Sequence, residues 1–222
     1  MIAAGRERIF ANRQEAGRLL ADELTKYADR DDVIVLGLPR GGVPVAAEVA
    51  RALHLPLDVL VVRKLGAPGQ EELAIGAIGE GRVRVLNEQL VRNLGLDGAD
   101  IDRIAGREER ELRRRVSVYR GAHEALAVVG KIALLVDDGV ATGATMRAGL
   151  QALKAAGAAR VIAASPVGAA DSVAALQNDA DDVVVLQTPE WFSAVGQWYE
   201  DFGQTTDDEV RGMLAENRGT GA

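Results

Sequence analysis

Short apolar segments alternate along this chain with stretches of helical spacing, and this alternation limits the fold more than any other feature. The predicted strands are residues 33–38, 58–62, 132–136, 160–164 and 183–186. Residues 43–53 and 145–156 have the hydrophobic spacing of helices, and Gly157 suits the position that follows the second helix. Apolar strands that alternate with helices are typical of a parallel sheet covered on both faces. The sequence therefore predicts an α/β fold with a doubly wound, mainly parallel sheet.

Two segments in the middle of the chain depart from this alternation. Residues 73–86 are two short strand-like runs around Glu80 and the glycine after it, so we expect a small antiparallel hairpin with Glu80 in its turn. Residues 87–128 form a helical insertion rich in charge, in which Glu111 precedes Arg115 by the four residues typical of an exposed ion pair. We predict a solvated helix for this insertion. A second interpretation is that its arginines cover an anionic ligand.

Both ends of the chain are predicted to pack against the sheet. A helix over about residues 6–27 would present Ile9 and Phe10, among others, to the body of the protein. The sequence has eight aromatic residues, and five of them lie in a C-terminal segment at about residues 188–203, which favours an aromatic anchor. The length suits one domain, residues 1–222, that includes the hairpin, the insertion and the aromatic segment.

Composition argues against several classes of protein. The formal net charge of -7 is unlike that of a chain whose main task is to hold nucleic acid, because such proteins usually present a basic face. The absence of cysteine excludes disulfides, thiolate metal sites and a thiol nucleophile. The sequence has neither a secretory signal nor an apolar run of membrane length, so we expect a cytoplasmic protein that does not bind a membrane.

The most specific motif lies where the third predicted strand ends, at residues 134–145. Two adjacent carboxylates, Asp137 and Asp138, follow the apolar strand and can accept hydrogen bonds from vicinal hydroxyl groups of a sugar. A turn of small and hydroxyl-bearing residues comes next, and its backbone N–H groups, with the start of a helix, suit a phosphate. Taken alone, the acid pair fits a solvated loop, and Thr145 fits a helix N-cap. The complete string in this order predicts a sugar-phosphate site.

Residues 137–145, Asp-Asp-Gly-Val-Ala-Thr-Gly-Ala-Thr, resemble the 5-phosphoribosyl-1-pyrophosphate motif of the type I phosphoribosyltransferases. The resemblance implies that Asp137 and Asp138 hold the 2′- and 3′-hydroxyls of the ribose. It also implies that the 5′-phosphate is wrapped by Ala141, Thr142, Gly143, Ala144 and Thr145. The fold of this family agrees with the sheet that the alternation predicts.

A second glycine-rich turn follows the first predicted strand. Arg40, Gly41 and Gly42 lie at the carboxyl end of that strand, the edge at which open α/β sheets bind ligands. In isolation the two glycines fit a simple strand-to-helix turn equally well. Together with the motif above they resemble the pyrophosphate loop of the family. The resemblance implies that Arg40 and the exposed amides of the glycines grip the leaving group.

A basic pair, Arg63 and Lys64, ends the second predicted strand. Charge at a strand end is commonly no more than solvation, but family members carry a similar pair that contacts pyrophosphate. The resemblance therefore implies a pyrophosphate contact for Lys64 and charge neutralisation by both side chains. Residues 66–72, which contain two glycines, then match a mobile loop that closes over the substrate.

The family resemblance also implies the cofactor and the catalytic residues. Mg²⁺ is the expected cofactor, held mainly by oxygens of pyrophosphate and ribose, with no direct protein ligand and with Asp137 and Asp138 acting through water. Breaking the bond between C1 of the ribose and pyrophosphate leaves negative charge on the leaving group. Arg40, Arg63 and Lys64 are expected to neutralise that charge, so these three residues and the two aspartates are the predicted catalytic set.

The acceptor is the least constrained part of the prediction. Ala141 stands where family members that act on 6-oxopurines usually carry an Asp, which argues against hypoxanthine or guanine. An acceptor pocket is expected between the strand end at Val167 and Gly168 and the aromatic Trp191 and Phe192, one of which would stack on a planar ring. The alternative for these aromatics is packing of the C-terminal tail onto the sheet.

These features predict a Mg²⁺-dependent phosphoribosyltransferase that moves the phosphoribosyl group of 5-phosphoribosyl-1-pyrophosphate to a small nitrogenous heterocycle, such as a nucleobase, and releases pyrophosphate. The family also implies a homodimer. Two alternatives remain open. One is a non-catalytic sensor of a phosphoribosyl ligand, and the other is an enzyme that acts on another ribose 5-phosphate compound.

Overall fold

The computed structural model of the chain describes residues 8–80, 83–121, 124–125 and 127–219. Its strands are β1 (Val33–Gly37), β2 (Leu57–Val59), β3 (Val62–Ala67), β4 (Gln70–Gly79), β5 (Arg84–Leu86), β6 (Ile132–Val136), β7 (Arg160–Val167) and β8 (Asp182–Gln187). Its α-helices are α1 (Arg13–Glu23), α2 (Gly42–Leu53), α3 (Glu88–Asn93), α4 (Gly98–Arg120), α5 (Ala144–Ala155), α6 (Ala170–Leu176) and α7 (Asp207–Gly219). None of the helices in these described ranges is long and apolar enough to cross a membrane.

Five strands form a parallel sheet in the order β2-β1-β6-β7-β8. Every residue of β1 and β6 is buried, because helices cover both faces of the sheet. Val35 and Leu134 share an apolar cluster with α2 on one face, and Leu36 and Leu135 share one with α5 on the other. The predicted doubly wound α/β sheet is therefore confirmed. Gly157, whose φ is 89°, follows α5 as the sequence predicts.

A second sheet, antiparallel and three-stranded, has the order β3-β4-β5 and packs beside α4 and α5. The predicted hairpin is confirmed as β4 and β5. The pairing of β3 with β4 was not predicted, and it divides the strand expected at residues 58–62 between two sheets. The division matters for function because it carries the basic end of that strand away from the main sheet and into the small one.

Residues 66–72, predicted as a mobile loop, belong instead to the tip of the hairpin between β3 and β4. Leu65 and Ala67 of β3 are buried and alternate with a more exposed residue, which is the pattern of a strand with one buried face, and Ile75 of β4 is also buried. Gly69, with a φ of 75°, lies in the turn between the two strands. Closure of this hairpin tip over a ligand remains a prediction.

The helical insertion contains α3 and the long helix α4, and the predicted ion pair between Glu111 and Arg115 is present on α4. The Nε atom of Arg115 lies 2.8 Å from Oε1 of Glu111. At the far end of α4, the buried Arg120 donates to Asp58 at 3.2 Å and to Glu80. Glu80, predicted as a simple turn residue, is therefore a partner of a buried guanidinium at the end of α4.

The N-terminal part of the chain differs from its prediction. α1 begins at Arg13, because Asn12 caps the helix by accepting a hydrogen bond from the N–H of the third residue after it at 2.9 Å. The helix predicted over residues 6–27 is thus too long, and its first two residues lie outside the described residues. Phe10 is buried as predicted, but Ile9 is 55% exposed. Helices α6 and α7 also have no counterpart in the sequence prediction.

Candidate active site

The loops that follow β1 and β6 interlock at the carboxyl edge of the main sheet. The two strands are neighbours in the sheet, so their ends emerge side by side. A methyl group added to Gly41 would lie 2.0 Å from Oδ2 of Asp138, and one added to Gly42 would lie 2.6 Å from the carbonyl oxygen of Val136. Only glycine fits at either position. The predicted pyrophosphate loop and the predicted ribose-binding acids therefore lie in direct contact.

Asp138 is held in place from two sides. The Nε atom of Arg13 donates to Oδ2 of Asp138 at 2.7 Å, and both side chains are close to nine-tenths buried. Arg13 also donates to the carbonyl of Gly203 at 2.8 Å, and its guanidinium lies 4.0 Å from the centre of the Phe202 ring. The hydroxyl of Tyr199 donates to the backbone carbonyl of Asp138 at 2.6 Å. The orientation of this carboxylate is thus fixed before any ligand binds.

Asp137 lies next to this pair in a more confined position. Its Oδ1 accepts a hydrogen bond from the backbone N–H of Asp138 at 2.9 Å. Burial raises the pKa of the Asp137 carboxyl well above its usual value, and the neighbouring charge of Asp138 raises it further. Burial likewise raises the pKa of Tyr199, which keeps its hydroxyl protonated as a donor. The acid pair therefore consists of one carboxylate tied to an arginine and one that is poorly hydrated.

The turn after the acids forms a small cradle at the start of α5. A cavity of about 130 Å³ is lined by Asp137 and residues 139–146. Gly143 is the N-cap of α5 with a φ of 70°, and Ala141, Thr142 and Thr145 are exposed. The hydroxyl of Ser172 in α6 donates to the carbonyl of Ala141 at 2.6 Å and holds the turn from behind. Free N–H groups at a helix start attract anions, so the cradle has the size and polarity for a phosphate.

Arg40 projects into a separate cavity of about 320 Å³ at the same edge. The peptide bond between Pro39 and Arg40 is cis. Arg114 and Arg115 of α4 line the cavity opposite Arg40, and Asp207 at the start of α7 lies 3.6 Å from the Nη1 atom of Arg40. The helical insertion therefore contributes two further guanidinium groups beside the predicted pyrophosphate-binding arginine.

Arg63 and Lys64 line a third and larger cleft, with a volume of about 770 Å³, between the small sheet and α4. Arg63 is bound by the insertion, since its Nη2 atom lies 2.7 Å from Oε2 of Glu108. Thr145 of the phosphate cradle and Pro39 of the β1 loop also line this cleft. The basic pair thus faces the site, and one of its charges is already opposed by a carboxylate.

The four residues predicted for the acceptor pocket have different surroundings. Val167 is buried, and its carbonyl accepts the N–H of Val140 at 2.9 Å. A methyl group on Gly168 would lie 2.5 Å from a side-chain atom of the helix that follows, so Val167 and Gly168 support the phosphate turn from behind. Trp191 is 79% exposed, whereas Phe192 packs against the aromatic cluster at the chain ends. Their contact with an acceptor remains a prediction.

Several site contacts involve residues that sequence analysis did not single out. Arg13, Glu108 and Asp207 each bind a predicted site residue from an element far away in the chain, and Arg13 is separated from Asp138 by 125 positions. Such pairing leaves no local pattern in the sequence. One signal was available, because Asn12 followed by Glu15 marks a helix start and would have placed Arg13 at the beginning of α1.

Comparison with known proteins identifies the family. A family model described as the phosphoribosyl transferase domain matches residues 5–202, a range that contains the loops after β1 and β6 and the basic pair of β3. The chain belongs to this phosphoribosyl transferase domain family. The type I phosphoribosyltransferase family and fold predicted from the sequence are thereby confirmed.

The relatives of this phosphoribosyl transferase domain support the same conclusion. Two Mycobacterium tuberculosis proteins, provisionally named phosphoribosyl transferases, are 52% identical over 207 residues, or 93% of the chain. The chain spans only 46% of their length. The crystal structure of the TT1426 protein from Thermus thermophilus is 45% identical, with a TM-score of 0.86 over 93% of this chain and 98% of that one. The AQ2163 protein from Aquifex aeolicus, 11% identical with a TM-score of 0.50 over 83% of this chain and 78% of that one, shares the fold alone.

Proposed function

We propose that this protein is a Mg²⁺-dependent phosphoribosyltransferase that transfers the phosphoribosyl group of 5-phosphoribosyl-1-pyrophosphate to a nitrogenous heterocycle and releases pyrophosphate. One observation carries the proposal. The loops after β1 and β6 interlock so closely that a methyl group on Gly41 would lie 2.0 Å from Asp138. Groups suited to pyrophosphate are therefore held beside groups suited to ribose, as a reaction at the bond between them requires.

The ribose phosphate fits the loop after β6. Its 5′-phosphate would occupy the cradle at the start of α5, with the ribose over Asp137 and Asp138. Arg13 occupies Oδ2 of Asp138, which leaves Oδ1 to accept a hydrogen bond from a ribose hydroxyl. A hydrogen bond to a poorly hydrated carboxylate is stronger than one in water, so Asp137 is suited to hold the second hydroxyl.

The leaving group fits the cavity beside Arg40. In the reaction a nitrogen of the acceptor forms a bond to C1 of the ribose, and the bond between C1 and the pyrophosphate oxygen breaks with both electrons passing to pyrophosphate. Arg40, Arg114 and Arg115 line this cavity and oppose the charge that develops there. Lys64 of the small sheet lines the larger cleft, which shares Pro39 and Arg115 with this cavity. These residues bind and orient the leaving group, and the acceptor nitrogen completes the exchange at C1.

The residues present fit Mg²⁺ held by the substrate. Asp137 offers a carboxylate of the hard-oxygen type that this ion prefers, and water would lie between the two. Among the residues that the structure describes, no three His, Asp or Glu side chains form a cluster able to hold a metal by themselves. When bound, the ion supplies further neutralisation of the leaving pyrophosphate.

Ligand binding tests the substrate. Millimolar 5-phosphoribosyl-1-pyrophosphate with Mg²⁺ is expected to raise the melting temperature, because a ligand at about 100 times its Kd adds about 2.7 kcal/mol to the free energy of unfolding. The double variant Asp137→Asn, Asp138→Asn should lose this rise. Glu88→Gln, an exposed acid on α3, is the matched control and should keep it. An unchanged melting temperature of the parent protein would contradict the assignment.

One observation favours a second function, a non-catalytic sensor of a phosphoribosyl ligand. Helix α4 exposes several arginines, and a basic surface is what a regulator of nucleic acid would need. Pyrophosphate release separates the two functions. Turnover with any heterocycle in a screen at saturating 5-phosphoribosyl-1-pyrophosphate and Mg²⁺ establishes the enzyme. Ligand-dependent binding of nucleic acid without turnover would establish the sensor.

The assignment of Arg40 has its own test. Arg40→Ala should lower the rate of pyrophosphate release much more than it weakens binding of ribose 5-phosphate, because its cavity is separate from the phosphate cradle. Binding of ribose 5-phosphate is measured by calorimetry and turnover by a coupled pyrophosphate assay. Equal losses in both measurements would remove Arg40 from the leaving-group site. Repeating the screen with other ribose 5-phosphate compounds in place of 5-phosphoribosyl-1-pyrophosphate tests those compounds as substrates.

A further inference from the structure

The 770 Å³ cleft between the small sheet and α4 is larger than the proposed substrate needs for its two anionic groups. The phosphate cradle of about 130 Å³ and the Arg40 cavity of about 320 Å³ already provide for the 5′-phosphate and the pyrophosphate. The large cleft joins both, since Thr145 also lines the cradle and Pro39 and Arg115 also line the Arg40 cavity. Its volume lies within the range of about 300–1,000 Å³ typical of sites for small organic ligands.

The lining of this cleft is strongly cationic. Of the side chains that the structure describes, six basic ones and one acidic one, Glu108, face it. Arg103, Arg107 and Arg110 project from one face of α4, at spacings of four and three residues. Like charges at these spacings destabilise a helix, and the pair between Arg103 and Asp100, at 2.9 Å, offsets only part of this cost. Among the described residues Arg110 has no ion-pair partner.

The opposite wall supplies an exchangeable pair. Arg63 of β3 reaches across to Glu108 of α4, with 2.7 Å between nitrogen and oxygen, and the two side chains are 30% and 16% exposed. An entering anion of similar geometry can take the place of this carboxylate at the guanidinium. A neutral ligand in the same cleft would gain no such contact with the guanidinium of Arg63.

We propose that the acceptor of this phosphoribosyl transferase carries an acidic group of its own, a phosphate or a carboxylate, which binds in this cleft between Arg63 and the Arg107–Arg110 face of α4. The inference rests on the proposed function and specifies its acceptor class. The insertion that lengthens this chain then has a role in selecting the acceptor. Increasing salt should weaken binding of the acceptor, because these arginines are partly exposed.

Matched pairs of ligands test the inference with the phosphate cradle already filled. Protein saturated with 5-phosphoribosyl-1-pyrophosphate and Mg²⁺ is titrated calorimetrically with adenosine 5′-monophosphate and with adenosine, and separately with nicotinate and nicotinamide. At least one anionic member is expected to bind about tenfold more tightly than its neutral partner, since a charged hydrogen bond has about that effect. A difference within the adenosine pair indicates a phosphate on the acceptor, and a difference within the nicotinate pair indicates a carboxylate.

Variants locate the effect in the cleft. Arg107→Gln with Arg110→Gln should weaken the anionic ligand at least tenfold and change the affinity for 5-phosphoribosyl-1-pyrophosphate less than twofold. Arg113→Gln on the same helix, which pairs with Glu109 and does not line the cleft, is the control and should change neither. The inference would be overturned if the charged and neutral members bound equally or if no member of either pair bound. It would also be overturned if the variant lost as much affinity for 5-phosphoribosyl-1-pyrophosphate as for the anionic ligand. None of these outcomes affects the proposed function, which fails if 5-phosphoribosyl-1-pyrophosphate itself does not bind or if no heterocycle gives turnover.

Discussion

The two walls of the site are built in different ways. The wall formed by the loops after β1 and β6 is closely packed, with Gly41 and Gly42 in direct contact with the acid pair and Arg13 bound to Asp138 at 2.7 Å. The wall formed by β3 and α4 consists of long charged side chains around an open cleft. The first wall has little room to vary without losing its geometry. The second can change its charges at little cost in stability, so it is suited to set the choice of acceptor.

Folding also shifts the pKa of a carboxyl group in opposite directions on the two walls. Burial, with the charge of Asp138, raises the pKa of Asp137 well above its usual value. On α4 the guanidinium groups of Arg114 and Arg115 lower the pKa of Glu111 to about 2. The folded state therefore disfavours the charged form of one carboxyl and favours that of the other. The carboxylate of Asp137 on the packed wall therefore lowers stability at a position proposed to bind the substrate. On the open wall, Glu111 and its two arginines stabilise one another.

The largest effect is expected from removing the arginine behind the acid pair. Arg13→Met should lower the free energy of unfolding by about 3 kcal/mol, because breaking a buried ion pair leaves an unpaired charge on Asp138. Arg113→Met is the same change on α4, at a position outside the cleft where the side chain is 70% exposed and its nearest partner atom is 3.9 Å away. It should cost less than about 0.5 kcal/mol. Urea denaturation measures both, and similar losses would remove the distinction between the walls.

Two glycine substitutions compare the walls through function. Gly41→Ala places a methyl group 2.0 Å from Asp138 and should reduce kcat/KM for pyrophosphate release by about 100-fold, since displacements of about 1 Å at a site have effects of that order. Gly106→Ala, in the interior of α4 with open space around its added methyl group, should leave kcat/KM unchanged. It should also raise the free energy of unfolding by up to about 1 kcal/mol. A tolerated Gly41→Ala would show that the two loops need not stay interlocked.

The pH dependence of stability gives a third comparison. A carboxyl whose pKa is raised on folding binds more protons in the folded state, so its contribution to stability falls as pH rises from about 4 through its folded pKa. Asp137→Asn removes this loss, so its free energy of unfolding at pH 7 should be higher than that of the parent. The advantage should disappear near pH 3. Denaturation curves at several pH values measure it, and a variant that is less stable at pH 7 would contradict the raised pKa.

The sequence predicted the packed wall much better than the open one. Apolar runs and glycine-rich turns are local patterns, so the strands, the order of the loops and the positions of Gly41, Asp137 and Thr145 followed from them. The contacts that complete the site are not local. Arg13 reaches Asp138 across the whole fold, and its role has no signature of its own. The pairing of β3 with β4 likewise leaves no local pattern in the sequence, because the basic end of β3 directly follows the strand that is predicted for the main sheet.

The smallest expected effect concerns the open wall and completes the comparison of pH dependence. Glu111→Gln removes a carboxylate that lies 2.8 Å from both Arg114 and Arg115. Because the folded state lowers the pKa of this carboxyl to about 2, its stabilising effect is present above about pH 4.5 and is lost as pH falls toward 2. The variant should therefore be slightly less stable than the parent at pH 7, by no more than about 0.5 kcal/mol, since surface pairs are screened by solvent. The difference should decrease at high salt and vanish near pH 2. Relative to the parent, Glu111→Gln therefore becomes less stable as pH rises, whereas Asp137→Asn becomes more stable. If both variants changed with pH in the same direction, the two walls would not differ in their electrostatics.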